Sequence, residues 1–104
     1  MSIRQLLWLA LLVPPAQAAG LAPELWDRPR SAQAVMAQPA VQQAVAAYQA
    51  NGAARIMIIH GPRLELQLQA EELRAWLVAL AVDGARLQLR ADPLATVLRL
   101  EVNE

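Results

Sequence analysis

Between Gly52 and Gly61 the chain carries the run Ala54-Arg55-Ile56-Met57-Ile58-Ile59, apolar everywhere except Arg55 and rich in β-branched residues. Successive side chains of a strand point to opposite faces of the sheet, so a strand apolar at both parities is covered on both. Such a strand belongs in the middle of a sheet and is expected to have a parallel neighbour. Gly61-Pro62 ends it. No other stretch has this character, so the remaining elements must be arranged around this one.

Upstream, Gly20 to Arg30 contains Pro23 and Pro29 and reads as an extended segment. Glu24-Leu25-Trp26-Asp27 within it is expected to pair briefly as an edge strand. Ser31 can cap a short helix over Ala32 to Ala37. Pro39 then occupies a position that a helix start tolerates. Val41, Ala44, Val45 and Tyr48 follow at i, i+3, i+4 and i+7, the stripe of an amphipathic helix. Asn51-Gly52 should stop it, with Gly52 in the left-handed position after the last turn.

Downstream, Arg63-Leu64-Glu65-Leu66-Gln67-Leu68-Gln69 supports two readings. Its period of two suits a strand returning in a hairpin through His60-Gly61-Pro62. Leu66, Ala70, Leu73, Leu77 and Leu80 also make a helical stripe, and a loop running into a helix from near Gln67 to near Val82 is the preferred reading. Asp83-Gly84 turns the chain into Arg86-Leu87-Gln88-Leu89-Arg90, an alternating strand. Asp92-Pro93 turns it again before the final strand, Val97 to Val102. These strands are polar on one side, so the helices should cover a single face of a small mixed sheet. The expected fold class is an α/β (α+β) two-layer sandwich in the order β-α-β-α-β-β, not a doubly wound fold.

The first residues have a different character. Met1-Ser2-Ile3-Arg4-Gln5 is a short basic start, Leu6 to Val13 is apolar, and Pro14 to Ala19 is a small-residue exit. These are the three parts of a secretory signal peptide. The apolar run is well short of the roughly 20 residues that span a bilayer. Ala16 and Ala18 satisfy the A-x-A rule, which places cleavage after Ala18. The expected organisation is a signal peptide over 1–18, an extended segment over 19–30 and a single domain over 31–104, with the mature protein in the periplasm and no stable membrane anchor.

Cleavage would leave roughly 85 residues, a size at which the core is marginal unless well packed or partnered. The chain has no cysteine, so neither disulfides nor a cysteine zinc site can brace it. Its nine basic residues are all arginine and balance nine carboxylates, a usage that fits the coding bias of a GC-rich bacterium. Loss of Arg4 brings the net charge to about −1. No basic stripe interleaved with aromatics points to nucleic acid, and no polybasic patch points to a membrane surface.

The order of elements in an exported chain resembles the OmpA-like, peptidoglycan-binding domain. Trp26-Asp27 followed by Ser31-Ala32 looks like that family's opening F-D-F-x-S-A pattern. Val41 to Gly52, then Ala54 to His60, looks like its first helix and the strand ending in G-H-T-D. Leu80 and Gly84 match the close of its second helix, and Leu98-Arg99-Leu100-Glu101-Val102 its last strand. The resemblance implies an aspartate in G-H-T-D and an arginine on the second helix that grip the diaminopimelate group. Here Ile59-His60-Gly61-Pro62 stands in place of G-H-T-D, and Glu72 falls at the arginine position. Arg74 is about 200° around the helix from it. The usual grip is therefore absent or rebuilt, and His60, Arg63, Glu72 and Arg74 are the candidate ligand-binding residues.

His60 is the sole histidine, placed just past a central strand where ligands of open sheets tend to bind. No second histidine or cysteine stands ready to share a metal with it, and no nucleophile–base pair is evident, so no catalytic residue, metal or cofactor is assigned and the chain is read as a non-enzyme. Glu71 and Glu72 suit the dipole at a helix start. As adjacent helical residues they diverge by about 100°, which does not suit paired acid–base work. Ala75 to Val82 is apolar all round, where a sandwich helix should keep a polar outer side. Packing against the alanine-rich first helix can hide Val78 and Val82. Alternatively they form, with Trp76 and Trp26, an interface for an envelope protein partner or a second copy. The expected function is an exported binding or assembly module of the bacterial cell envelope. Peptidoglycan binding through a rebuilt site is the alternative, and a small periplasmic enzyme is a third and weaker one.

Overall fold

The structure, a computed structural model, describes residues 18–103. The expected signal segment lies outside the described residues except for Ala18, and Glu104 lies outside them too. The elements run β1 (Ala18–Gly20), a 3-10 turn (Pro23–Asp27), α1 (Ala32–Met36), α2 (Pro39–Ala50), β2 (Arg55–His60), α3 (Leu64–Ala79), a 3-10 turn (Gly84–Arg86), β3 (Leu87–Ala91) and β4 (Arg99–Asn103). This is an α+β fold with three helices and one mixed sheet of order β1-β4-β2-β3. β2 pairs parallel with β3 across the α3 crossover and antiparallel with β4, which in turn pairs antiparallel with β1. The strand apolar on both faces thus lies inside the sheet, with the expected parallel neighbour.

The core lies between the helices and one face of the sheet. Ile56, Ile58, Leu87 and Leu100 present that face. Val41, Ala44 and Val45 of α2 and Leu66, Ala70, Leu73 and Leu77 of α3 meet it. Fully burying each large aliphatic side chain among these contributes about 1.5–3 kcal/mol. On the other face, the register sets Met57 between Gln88 and Glu101, and Ile59 between Arg90 and Arg99. Two ion pairs straddle β2 there, Arg90 to Glu101 at 3.2 Å and Arg99 to Asp92 at 3.2 Å. Ile59 has no exposed surface beneath them.

Four local expectations are corrected. Residues 24–27 form a 3-10 turn, not an edge strand; Pro23, with its φ fixed near the helical value, starts it. The strand at that edge is Ala18–Gly20 instead. Second, α3 begins at Leu64, three residues before the expected start, so the period-two stretch is helical. Third, Gly52 does not take a left-handed conformation. The chain leaves α2 through an extended Asn51, whose side-chain oxygen accepts from the Ala53 N–H at 3.0 Å.

The left-handed residue is Ala81, with φ of 77°. There the Ala81 N–H donates to the Val78 carbonyl and the Val82 N–H to the Leu77 carbonyl, both at 3.0 Å. These are the two bonds of a Schellman cap. The cap folds Val82 back beside Leu77, so Val82 joins the core at 2 % exposure. This is the fourth correction: Val82 is not a surface residue.

Candidate functional site

The extended segment is held to α3 by one cluster. The Arg30 guanidinium donates to both Glu72 carboxylate oxygens, Nε to Oε2 and the second terminal nitrogen to Oε1, each at 2.8 Å. Its other terminal nitrogen donates to the carbonyls of Arg28 at 2.7 Å and Trp26 at 3.2 Å. The guanidinium also stacks 5.3 Å from the centre of the Trp26 ring. Glu72 Oε2 accepts once more, from the Trp76 indole N–H at 3.0 Å. These hydrogen bonds, that from Arg30 foremost, hold the Glu72 carboxyl below its ordinary range against a smaller opposing effect of burial. The same bond to Glu72 holds the Arg30 guanidinium further toward its charged form.

This cluster changes the meaning of Glu72. Glu72 does form a charge pair, with Arg30, but the pair closes on itself and leaves neither partner free to grip a ligand. Arg74 is also engaged, donating to the Gly84 carbonyl at 3.1 Å. His60 is buried, with Nδ1 3.0 Å from the Gly61 carbonyl, an oxygen that can only accept, so Nδ1 carries the proton. The four residues His60, Arg63, Glu72 and Arg74 therefore do not converge on one cavity.

Arg63 alone among them lines a groove of about 380 Å³ between the first 3-10 turn and the start of α3. Trp26, Asp27, Glu65, Gln69 and Thr96 share its walls. Arg63 approaches Glu65 at 3.7 Å, with both side chains about two-thirds exposed. A pair so loose and wet contributes little and leaves the guanidinium available. Arg63 also precedes the first turn of α3 without a side-chain cap, so the first N–H groups of the helix point out at that end. Sequence reasoning missed Asp27 as a member of this groove. It lies some 36 positions upstream of Arg63, and no local pattern links them.

The second surface is the outer side of α3. Leu64 is 67 % exposed, Leu68 56 % and Val78 44 %. Residues 64, 68, 75 and 78 fall within about 80° of one another on a helical wheel, opposite the buried Leu66, Ala70, Leu73 and Leu77. Of the four expected interface residues, Val78 lies on this surface. Trp26 and Trp76 are half-buried against the core, and Val82 is inside it. Leu64 was missed because it precedes the expected helix start near Gln67, and Leu68 because the stripe of Leu66, Ala70, Leu73, Leu77 and Leu80 marks the other side of that helix. Glu65 and Glu71 are the exposed carboxylates of the same helix.

Among the described residues no cluster of three or more metal-ligating side chains occurs, and no helix is long and apolar enough to cross a membrane. No protein-family model matches the chain, and no curated protein or solved structure matches it either.

Proposed function

We propose that the protein is an exported, non-enzymatic binding or assembly module of the bacterial cell envelope, acting in the periplasm and contacting a protein partner through the outer side of α3. The observation that carries this reading is the exposed stripe of Leu64, Leu68 and Val78 on a helix whose other side already fills the core. The stripe runs about 21 Å from Leu64 to Val78, long enough for a partner helix to lie along it. Its exposed carboxylates, Glu65 and Glu71, favour a partner segment that is apolar with basic flanks. The sequence resemblance to OmpA-like domains and the signal-like first residues support the compartment. Two of the three mature hydroxyls have local structural work: Ser31 accepts from the Ala34 N–H to cap α1, and Tyr48 accepts from the Asp83 N–H, while Thr96 lines the groove.

A photo-crosslinker placed at Leu68 in the exporting cell tests the reading. A discrete adduct with one envelope protein is expected at Leu68 and at Val78, and none at Gln88 on the opposite side of the sheet. An adduct of twice the chain's mass would instead identify a second copy as the occupant. No adduct at either α3 position would end the proposal.

The groove supports the second reading, peptidoglycan binding. It brings a carboxylate, Asp27, and a guanidinium, Arg63, to one cavity with the Trp26 ring, and such a pair complements a ligand bearing both an amine and a carboxylate. Sedimentation with purified sacculi, lost in both Asp27→Asn and Arg63→Gln, would favour it. Sedimentation unaffected by these changes would exclude this groove.

A further inference from the structure

We infer that folding closes the chain's own processing site, so that the bond between Ala18 and Ala19 is cut only while β1 is undocked. The inference rests on the export reading above. A peptidase that recognises small residues on either side of a variable one takes its substrate as an extended strand in its own cleft, using the main-chain groups around the scissile bond. In the folded protein the main-chain groups of Ala18, Ala19 and Gly20, on both sides of that bond, already belong to another sheet. Ala18 pairs with Glu101, Ala19 with Leu100 and Gly20 with Arg99. The Leu21 N–H then donates to the Leu98 carbonyl at 2.9 Å, and the Leu21 side chain is buried at 3 % exposure. Lifting β1 far enough to enter a cleft therefore also draws Leu21 from the core.

The position of the partner strand sets the timing. β4 lies roughly 80 residues further along the chain, beyond all three helices, and such a long-range pairing forms late. During export the junction is exposed until β4 has been delivered and placed beside β2. Processing thus has a window that the fold itself shuts. A chain that folds first loses its leader only as fast as β1 opens.

The test uses the full-length chain and a purified signal peptidase in detergent micelles. One sample is folded; another is diluted from denaturant directly into the enzyme. Cleavage after Ala18 is expected to be at least about tenfold faster in the second sample, because cutting of the folded form tracks the small population in which β1 is open. Leu21→Ala removes the anchor beside β1 and should speed cleavage of the folded precursor at least about tenfold. Its rate from denaturant should match that of the original chain. If Leu21→Ala does not fold, the milder Leu21→Val should give a smaller acceleration in the same direction. Equal rates for folded and denatured precursor would overturn the inference while leaving export standing, as would a folded Leu21 variant cut no faster than the original. Failure to cut either sample after Ala18 would overturn the signal-peptide reading itself, and the inference with it.

Discussion

Replacing Ala81 with glycine measures the strain stored at the end of α3. Ala81 is the one described residue with a positive φ, at 77°. A non-glycine residue there brings its Cβ against the following carbonyl, at a cost of about 1–2 kcal/mol. Glycine avoids that clash but surrenders more backbone freedom on folding, an offset of about 0.4–1 kcal/mol. Ala81 is exposed, so no packing is lost. The two cap bonds use backbone groups only and survive the change. The expected net effect is a gain of about 0.5–1 kcal/mol, or a rise in Tm of roughly 2–8 °C for a domain of this size. Thermal unfolding followed by circular dichroism reads this directly. Ala81→Val supplies the opposite sign, because a β-branched residue is worse still in this conformation. A glycine variant that melts at or below the original would refute the strain reasoning, and with it the account of how Val82 is folded into the core.

Gly61→Ala should be strongly destabilising, at or beyond the upper end of about 1–3 kcal/mol for overpacking: a Cβ there would run into the backbone carbonyl oxygen of Ala95 and meet Leu66 Cδ1 at 3.0 Å. Chemical denaturation with an unchanged midpoint would show that the β3–β4 connection does not press on β2. Acid should act partly through Glu72. Its folded carboxyl titrates below the unfolded value of about 4.3, so its stabilisation is complete above that pH and fades as pH falls through the folded value. Glu72→Gln is accordingly expected to melt lower than the original at pH 7 and to converge with it in strong acid, and a difference that stayed constant with pH would contradict the clamp.

The parts of the fold legible in the sequence are those governed by local pattern. β2 announces itself because both its faces are covered. Ser31 announces α1 because its hydroxyl accepts from the Ala34 N–H at 3.1 Å, three residues on. The turn at Asp92 reads correctly because the Asp92 carboxylate accepts from the Leu94 N–H at 2.9 Å. Arg63 to Gln69 misleads for a geometric reason. At about 100° per residue, Leu64 and Leu68 point outward while Leu66 points inward, so an alternation typical of strands arises from a helix with apolar groups on opposite sides. The candidate site was far less legible. Arg30 meets Glu72 across 42 residues, and Asp27, at the end of a 3-10 turn where a strand was expected, lines the same groove as Arg63. No spacing rule connects either pair.

The two sides of the sheet also answer differently to the solvent. On the helix side the strands are covered by aliphatic groups, and on the other by ion pairs that reach over β2 with side chains about 30–47 % exposed. Dissolved salt screens exposed charge pairs within a Debye length of about 8 Å at physiological strength, whereas strongly hydrated salts reinforce apolar burial. Raising ionic strength therefore loosens the lid over Ile59 and tightens the layer beneath the helices. One sheet thus has a salt-weakened face and a salt-strengthened one, and its net response depends on which anion is added.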